Sequence, residues 1–125
     1  MAIPTTFIPL EIHLMTYQLL ILIPLNVEIQ SFDEGWPSFL RSAEEMPGLI
    51  QESVNRIDNC LYGQNHLRRI YSFTFEDRTS MEQALLSPPG EKAGKILQKI
   101  TEGNMILLSG EFKQDSLENI KESSS

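Results

Sequence analysis

From Tyr17 to Leu25 the chain reads Tyr-Gln-Leu-Leu-Ile-Leu-Ile-Pro-Leu, apolar at nearly every position. The run is too short for a typical helix and ends at Pro-Leu-Asn, so it predicts a central strand buried on both faces. The period then changes. Phe32, Trp36, Phe39, Leu40, Ala43 and Met46 recur at spacings of three and four, which is one face of a helix. Two signals compete for its start. Ser31 with Glu34 makes a capping-box pattern, whereas Pro37 breaks a helix begun that early and favours a start near itself. Pro47-Gly48 ends the helix, because the residue before proline leaves the helical region and glycine permits the turn.

A second strand is expected over roughly Leu49 to Ile57, followed by a turn containing Tyr62-Gly63-Gln64-Asn65. The stretch from His66 to Glu76 is rich in β-branched and aromatic residues and reads as a third strand. Alternation puts Leu67, Arg69, Tyr71, Phe73 and Phe75 on a core face and His66, Arg68, Ile70, Ser72, Thr74 and Glu76 on a polar one. Thr79 with Glu82 is a capping box for a short helix through Leu86, stopped by Ser87-Pro88-Pro89-Gly90. Ser87 then caps a further helix with Pro88 in the tolerated first position, and Ala93, Ile96, Leu97 and Ile100 share one face. Gly103 terminates it ahead of a last strand from Asn104 to Phe112.

The order β-α-β-β-α-β, with the second helix broken, is that of an α+β, ferredoxin-like domain with a four-stranded antiparallel sheet. Helices cover only one face of such a sheet. The strands at Tyr17 and Asn104 are too apolar for the other face to be wet, so a second copy packed sheet to sheet is expected. The domain spans residues 15–112. Residues 1–14 carry two prolines and no convincing period, and they read as an irregular extension with Met15 as the natural start. Residues 113–125 form a polar tail ending in three serines.

Composition narrows the function. With 125 residues and a formal charge of -7, the chain is a single acidic domain, and the charge opposes nucleic-acid binding, which needs clustered Lys and Arg. The one basic doublet, Arg68-Arg69, points to opposite faces of its strand. Cys60 has no partner for a disulfide or a thiolate metal site, which suits a reducing compartment and a buried or chemically indifferent thiol. The uncharged run from Ile12 to Leu25 is shorter than the ~20 residues a membrane span needs and lacks the flanks of a secretory signal. A cytoplasmic protein without membrane contact is expected. No Gly-rich phosphate loop, HExxH pair, cysteine cluster or GxSxG elbow occurs, so neither a metal nor a cofactor is implied.

The best positions for a small-molecule site are His66, Arg68, Ser72 and Thr74 on the polar face of the third strand, with Arg56 or Asn55 from the second. An anionic or carbonyl ligand would suit that set, with arginine as charge-assisted donor and His66 as proton carrier and the weak catalytic candidate. Glu44-Glu45 and Glu76-Asp77 read as solvated ends rather than carboxylate dyads. Trp36 and Phe39 lie on a helix stripe, where aromatic residues more often build core than line a pocket.

Several of these segments, taken in order, resemble the EthD-like family of dimeric α+β barrel proteins. They are Met46-Pro47-Gly48-Leu49, the Phe73 to Glu76 strand running into Met81-Glu82-Gln83-Ala84-Leu85, the Ser87-Pro88-Pro89-Gly90 break, and Gly103 before the last strand. The resemblance covers Tyr17 to Phe112. It implies a homodimer that pairs its sheets, with a pocket between sheet and helices or inside each half. It further implies a cofactor-independent oxygenase or isomerase acting on a small organic compound, or else a non-catalytic ligand-binding or accessory dimerisation domain. Members of the family often carry a pocket-facing histidine in the first helix. This chain has none between Ser31 and Pro47, and Phe39 or Glu45 stands in that region. Phe39 therefore joins the ligand-binding candidates.

Overall fold

The computed structural model describes residues 15–117. The expected irregular extension (1–14) and the end of the polar tail (118–125) lie outside the described residues. Four strands, β1 (Met15–Pro24), β2 (Gln51–Arg56), β3 (Leu67–Phe75) and β4 (Ile106–Lys113), form one antiparallel sheet in the order β2-β3-β1-β4. Three helices, α1 (Ile29–Glu44), α2 (Arg78–Leu86) and α3 (Pro88–Thr101), lie between these strands among the described residues. This is the α+β, ferredoxin-like order read from the sequence.

β1 is central because it carries the most apolar run, and each alternate side chain finds a different environment. Leu19, Ile21 and Ile23 are buried beneath the helices together with Tyr71, Phe73 and Phe75 of β3. On the other face Leu20 stands opposite Leu108, and Leu22 stands between Ile70 and Ile106. Ile106 and Leu108 are nearly half exposed. The expected burial of β1 on both faces is thus met on one face only within the single chain.

α1 runs straight through Pro37. Losing the hydrogen bond to the Asp33 carbonyl costs about 3 kcal/mol, and burying one large apolar side chain returns roughly 1.5–3 kcal/mol. Phe32 before the proline and Phe39 after it are both buried, with Trp36 and Leu40 packed against the same core. Continuing the stripe outweighs the break. The start falls at neither expected position. Glu28 caps the helix, its carboxylate accepting from the Ser31 N–H at 2.8 Å and the Gln30 N–H at 3.4 Å, so Ser31 with Glu34 is not the cap.

α2 is likewise capped earlier than expected, two residues ahead of Thr79. Asp77 accepts from the Ser80 N–H at 2.8 Å, while Glu82 pairs with Arg78 at 3.0 Å instead of closing a box with Thr79. Ser87 behaves as expected, its hydroxyl accepting from the Gly90 N–H and donating to the Ala84 carbonyl. Gly48 and Gly103, with φ of +83° and +80°, supply the left-handed turns after α1 and α3.

Candidate functional site

The face a strand residue occupies follows from its register, and the register splits the expected site. Ser72 lies opposite Ser53 and Leu20, and Thr74 lies opposite Gln51 and Gln18, on the face away from the helices. Thr74 accepts a hydrogen bond from the Gln18 amide at 3.2 Å. Arg68 is on the same open face, where its Nη2 donates to the Leu25 carbonyl at 3.0 Å and its buried Nε has no acceptor. Asn55, opposite Ile70, belongs there too. Arg56 does not: it stands opposite Arg69 on the helix side. Phe39 is also on the helix side, buried in the core against Phe73. His66 precedes β3 in an exposed connection and contacts Gln64 at 3.1 Å. The seven candidates therefore do not converge on one site.

What converges is a cleft of about 530 Å³ between α1, the edge strand β2 and its neighbour β3. This is within the 300–1,000 Å³ usual for small-molecule sites. Asp33, Trp36 and Pro37 face it from α1; Glu52, Val54 and Arg56 from β2; Arg69 and Tyr71 from β3. One wall is aromatic. The Trp36 ring stacks on Tyr71 with centroids 4.1 Å apart and also touches Phe32 and Phe39.

One end is a fixed ion pair. Arg69 forks onto both carboxylate oxygens of Asp33 at 2.6 and 3.2 Å and donates to the Tyr71 hydroxyl at 3.0 Å. The hydrogen bond from Arg69 holds the Asp33 carboxyl below its usual range, with the positive charge of Arg69, Arg56 and Arg68 acting the same way. The bond to Asp33, then that to Tyr71, pushes the Arg69 guanidinium up.

The other end is Glu52. Partial removal from water pushes its carboxyl up, and the like charge of Glu44 adds to the shift. Among the described residues Glu52 and Arg56 enter no ion pair. No cluster of three His, Cys, Asp or Glu suited to a metal ion occurs among the described residues.

Solved structures now bear on this geometry. An EthD family protein from Bacillus halodurans C-125 superimposes with a TM-score of 0.69 at 22% identity, covering 81% of this chain and 99% of its own. The fold is EthD-like. SnoaB, a cofactor-independent oxygenase from Streptomyces nogalater, superimposes at TM-score 0.57 and 12% identity, covering 82% of this chain and 96% of its own. A dimeric ferredoxin-like protein of unknown function from Jannaschia sp. CCS1 gives TM-score 0.57 and 18% identity over 77% of this chain and 97% of its own. No family model and no curated protein matches the sequence.

Within the EthD-like fold, the positions weighed for the missing histidine do not reach the cleft. Phe39 is core and Glu45 is the exposed C-cap of α1. Asp33 and Trp36 are what α1 presents instead. Sequence reasoning passed over Asp33, Glu52, Arg69 and Tyr71 and assigned Trp36 to the core. A signal was present: Arg69 is a lone charge on a face otherwise apolar or aromatic, and a charge placed there needs a counter-ion. Cys60, expected buried or indifferent, is exposed, its thiol donating to the Gly63 carbonyl at 3.1 Å.

Proposed function

We propose that the protein is an EthD-like protein of small-molecule metabolism that binds a small organic compound in the cleft between α1 and the β2–β3 edge. The observation that carries this is the convergence of a stacked aromatic wall, a locked Asp33–Arg69 pair and two unpaired charged groups, Glu52 and Arg56, on one cavity of suitable size. Glu52, with its carboxyl pushed up from the ordinary carboxylate value, is the group in the cleft best suited to accept and return a proton. Proton transfer serves an isomerisation, and removal of a C–H proton is also the opening step by which an organic compound becomes a carbanion reactive toward dioxygen. The absence of a histidine from the cleft favours a second reading, binding without conversion. His66, Arg68, Ser72 and Thr74 lie away from this cleft, and Phe39 supports it from behind.

The working unit in this reading is a homodimer joined through the open sheet face. Its support is the row formed by the nearly half-exposed Ile106 and Leu108 of β4 beside the partly buried Leu20 and Leu22 of β1, and the buried Arg68 Nε, to which a partner's carbonyl would give an acceptor. A reducing, cytoplasmic setting fits the exposed free thiol.

A thermal-shift screen of small aromatic and carbonyl compounds tests the cleft. A ligand present at ten times its Kd adds about 1.4 kcal/mol and raises Tm by several degrees. Val54→Phe, which fills the cleft from β2, is expected to abolish the shift. No shift from any compound, or a shift that survives Val54→Phe, contradicts the assignment.

A further inference from the structure

The two unpaired charges of the cleft do not sit together. Glu52, Val54 and Arg56 project from the same side of β2, opposite Phe73, Tyr71 and Arg69. At roughly 3.4 Å per residue the Glu52 and Arg56 backbones are about 13 Å apart. Between them lie Val54 and the Trp36–Tyr71 stack. Arg69 is already satisfied by both oxygens of Asp33, so the cation left for a ligand is Arg56, which is exposed and unpaired among the described residues. The cleft thus has a cationic pole, an aromatic middle and an anionic pole, in that order.

Resting on the reading of the cleft given above, we propose that its occupant is an elongated organic anion built on a flat ring. Its anionic group lies on Arg56, its ring lies against Trp36 and Val54, and a hydroxyl at its far end donates to Glu52. A neutral compound leaves Arg56 unanswered, and one lacking the far hydroxyl leaves the Glu52 carboxylate facing an apolar edge. The partial withdrawal from water that pushes the Glu52 carboxyl up also makes it a stronger acceptor.

The chain's single tryptophan is Trp36, so its fluorescence reports on this cleft alone. The probes are 3-(4-hydroxyphenyl)propionate, its amide and its 4-methoxy analogue, titrated against the full chain, Arg56→Gln and Glu52→Gln. Both substituted residues are exposed, so folding is not at stake. The acid is expected to bind about tenfold tighter than either analogue, the size of effect a charge-assisted contact supports. Arg56→Gln should erase the preference over the amide, and Glu52→Gln the preference over the methoxy analogue. Equal binding of acid and amide, or a preference that Arg56→Gln leaves intact, overturns the proposed ligand class while the cleft stands. If none of the three binds and the thermal screen still finds a ligand blocked by Val54→Phe, the ligand class is likewise wrong; if that screen is also empty, the cleft reading itself falls.

Discussion

Arg69 occupies a strand face whose other members are Leu67, Tyr71, Phe73 and Phe75, and it is tolerated there because Asp33 reaches it from α1. The guanidinium is only 16% exposed, while Asp33 is 51% exposed. Solvent therefore screens the pair, and a value near the upper end of the ~0.2–1 kcal/mol of surface pairs is appropriate for its forked geometry. Asp33→Asn should cost about that much at pH 7, measured by urea unfolding. The sign of its pH dependence follows from the lowered carboxyl. The native state holds Asp33 ionised more firmly than the unfolded chain does, so the stabilisation is complete above the unfolded value near 3.9 and is lost as pH falls through the lower folded value. The gap between wild type and Asp33→Asn should be constant from pH 7 to about 5 and close below about pH 4. At this scale the sequence was only partly legible. Alternation placed Arg69 and Arg68 on opposite faces correctly, but it could not say that an acid 36 residues away would meet Arg69, because that contact depends on how α1 lies across the sheet.

Elements were more legible than their ends. Every strand and helix stands where periodicity put it, since the core rewards each apolar stripe independently of the others. The caps of α1 and α2 were misplaced because an acidic side chain upstream of each expected box already caps the helix, Glu28 accepting from the Ser31 N–H and Asp77 from the Ser80 N–H. The junction of α2 and α3 shows why that break is built from Ser-Pro-Pro-Gly. A methyl group on Gly90 would press into the carbonyls of Ala84 and Leu85, which are backbone atoms and cannot swing aside. Gly94, in the same helix, has nothing within 4 Å of where a methyl would go. Gly90→Ala is expected to destabilise by about 1–3 kcal/mol through overpacking, whereas Gly94→Ala should stabilise by about 0.5–1 kcal/mol through helix propensity alone. Urea midpoints of the two variants shifting in the same direction would contradict this account of the break.

For the whole molecule, the decisive fact is that the two faces of the sheet differ in kind. The helix side holds the core and the polar cleft. The open side carries Leu20, Leu22, Ile70, Ile106 and Leu108 over the β1–β4 half, with Ser53, Ser72 and Thr74 over the rest. Hydrophobicity alone leads to the expectation that this side needs a cover, and the apolar half of the open face is where that cover would sit. The cleft was not legible in the same way, because the polar face of β3 drew attention away from α1. A charge placed among the open-face leucines, as in Leu108→Asp, should split the proposed dimer yet leave ligand-induced thermal shifts in place, since the cleft is on the opposite side. Sedimentation equilibrium of the unmodified chain at micromolar concentration examines the foundation of this division. A mass twice the 14.2 kDa of the chain is expected; a single species at 14.2 kDa would mean that the apolar face is left to water and that the assigned roles of the two faces are wrong.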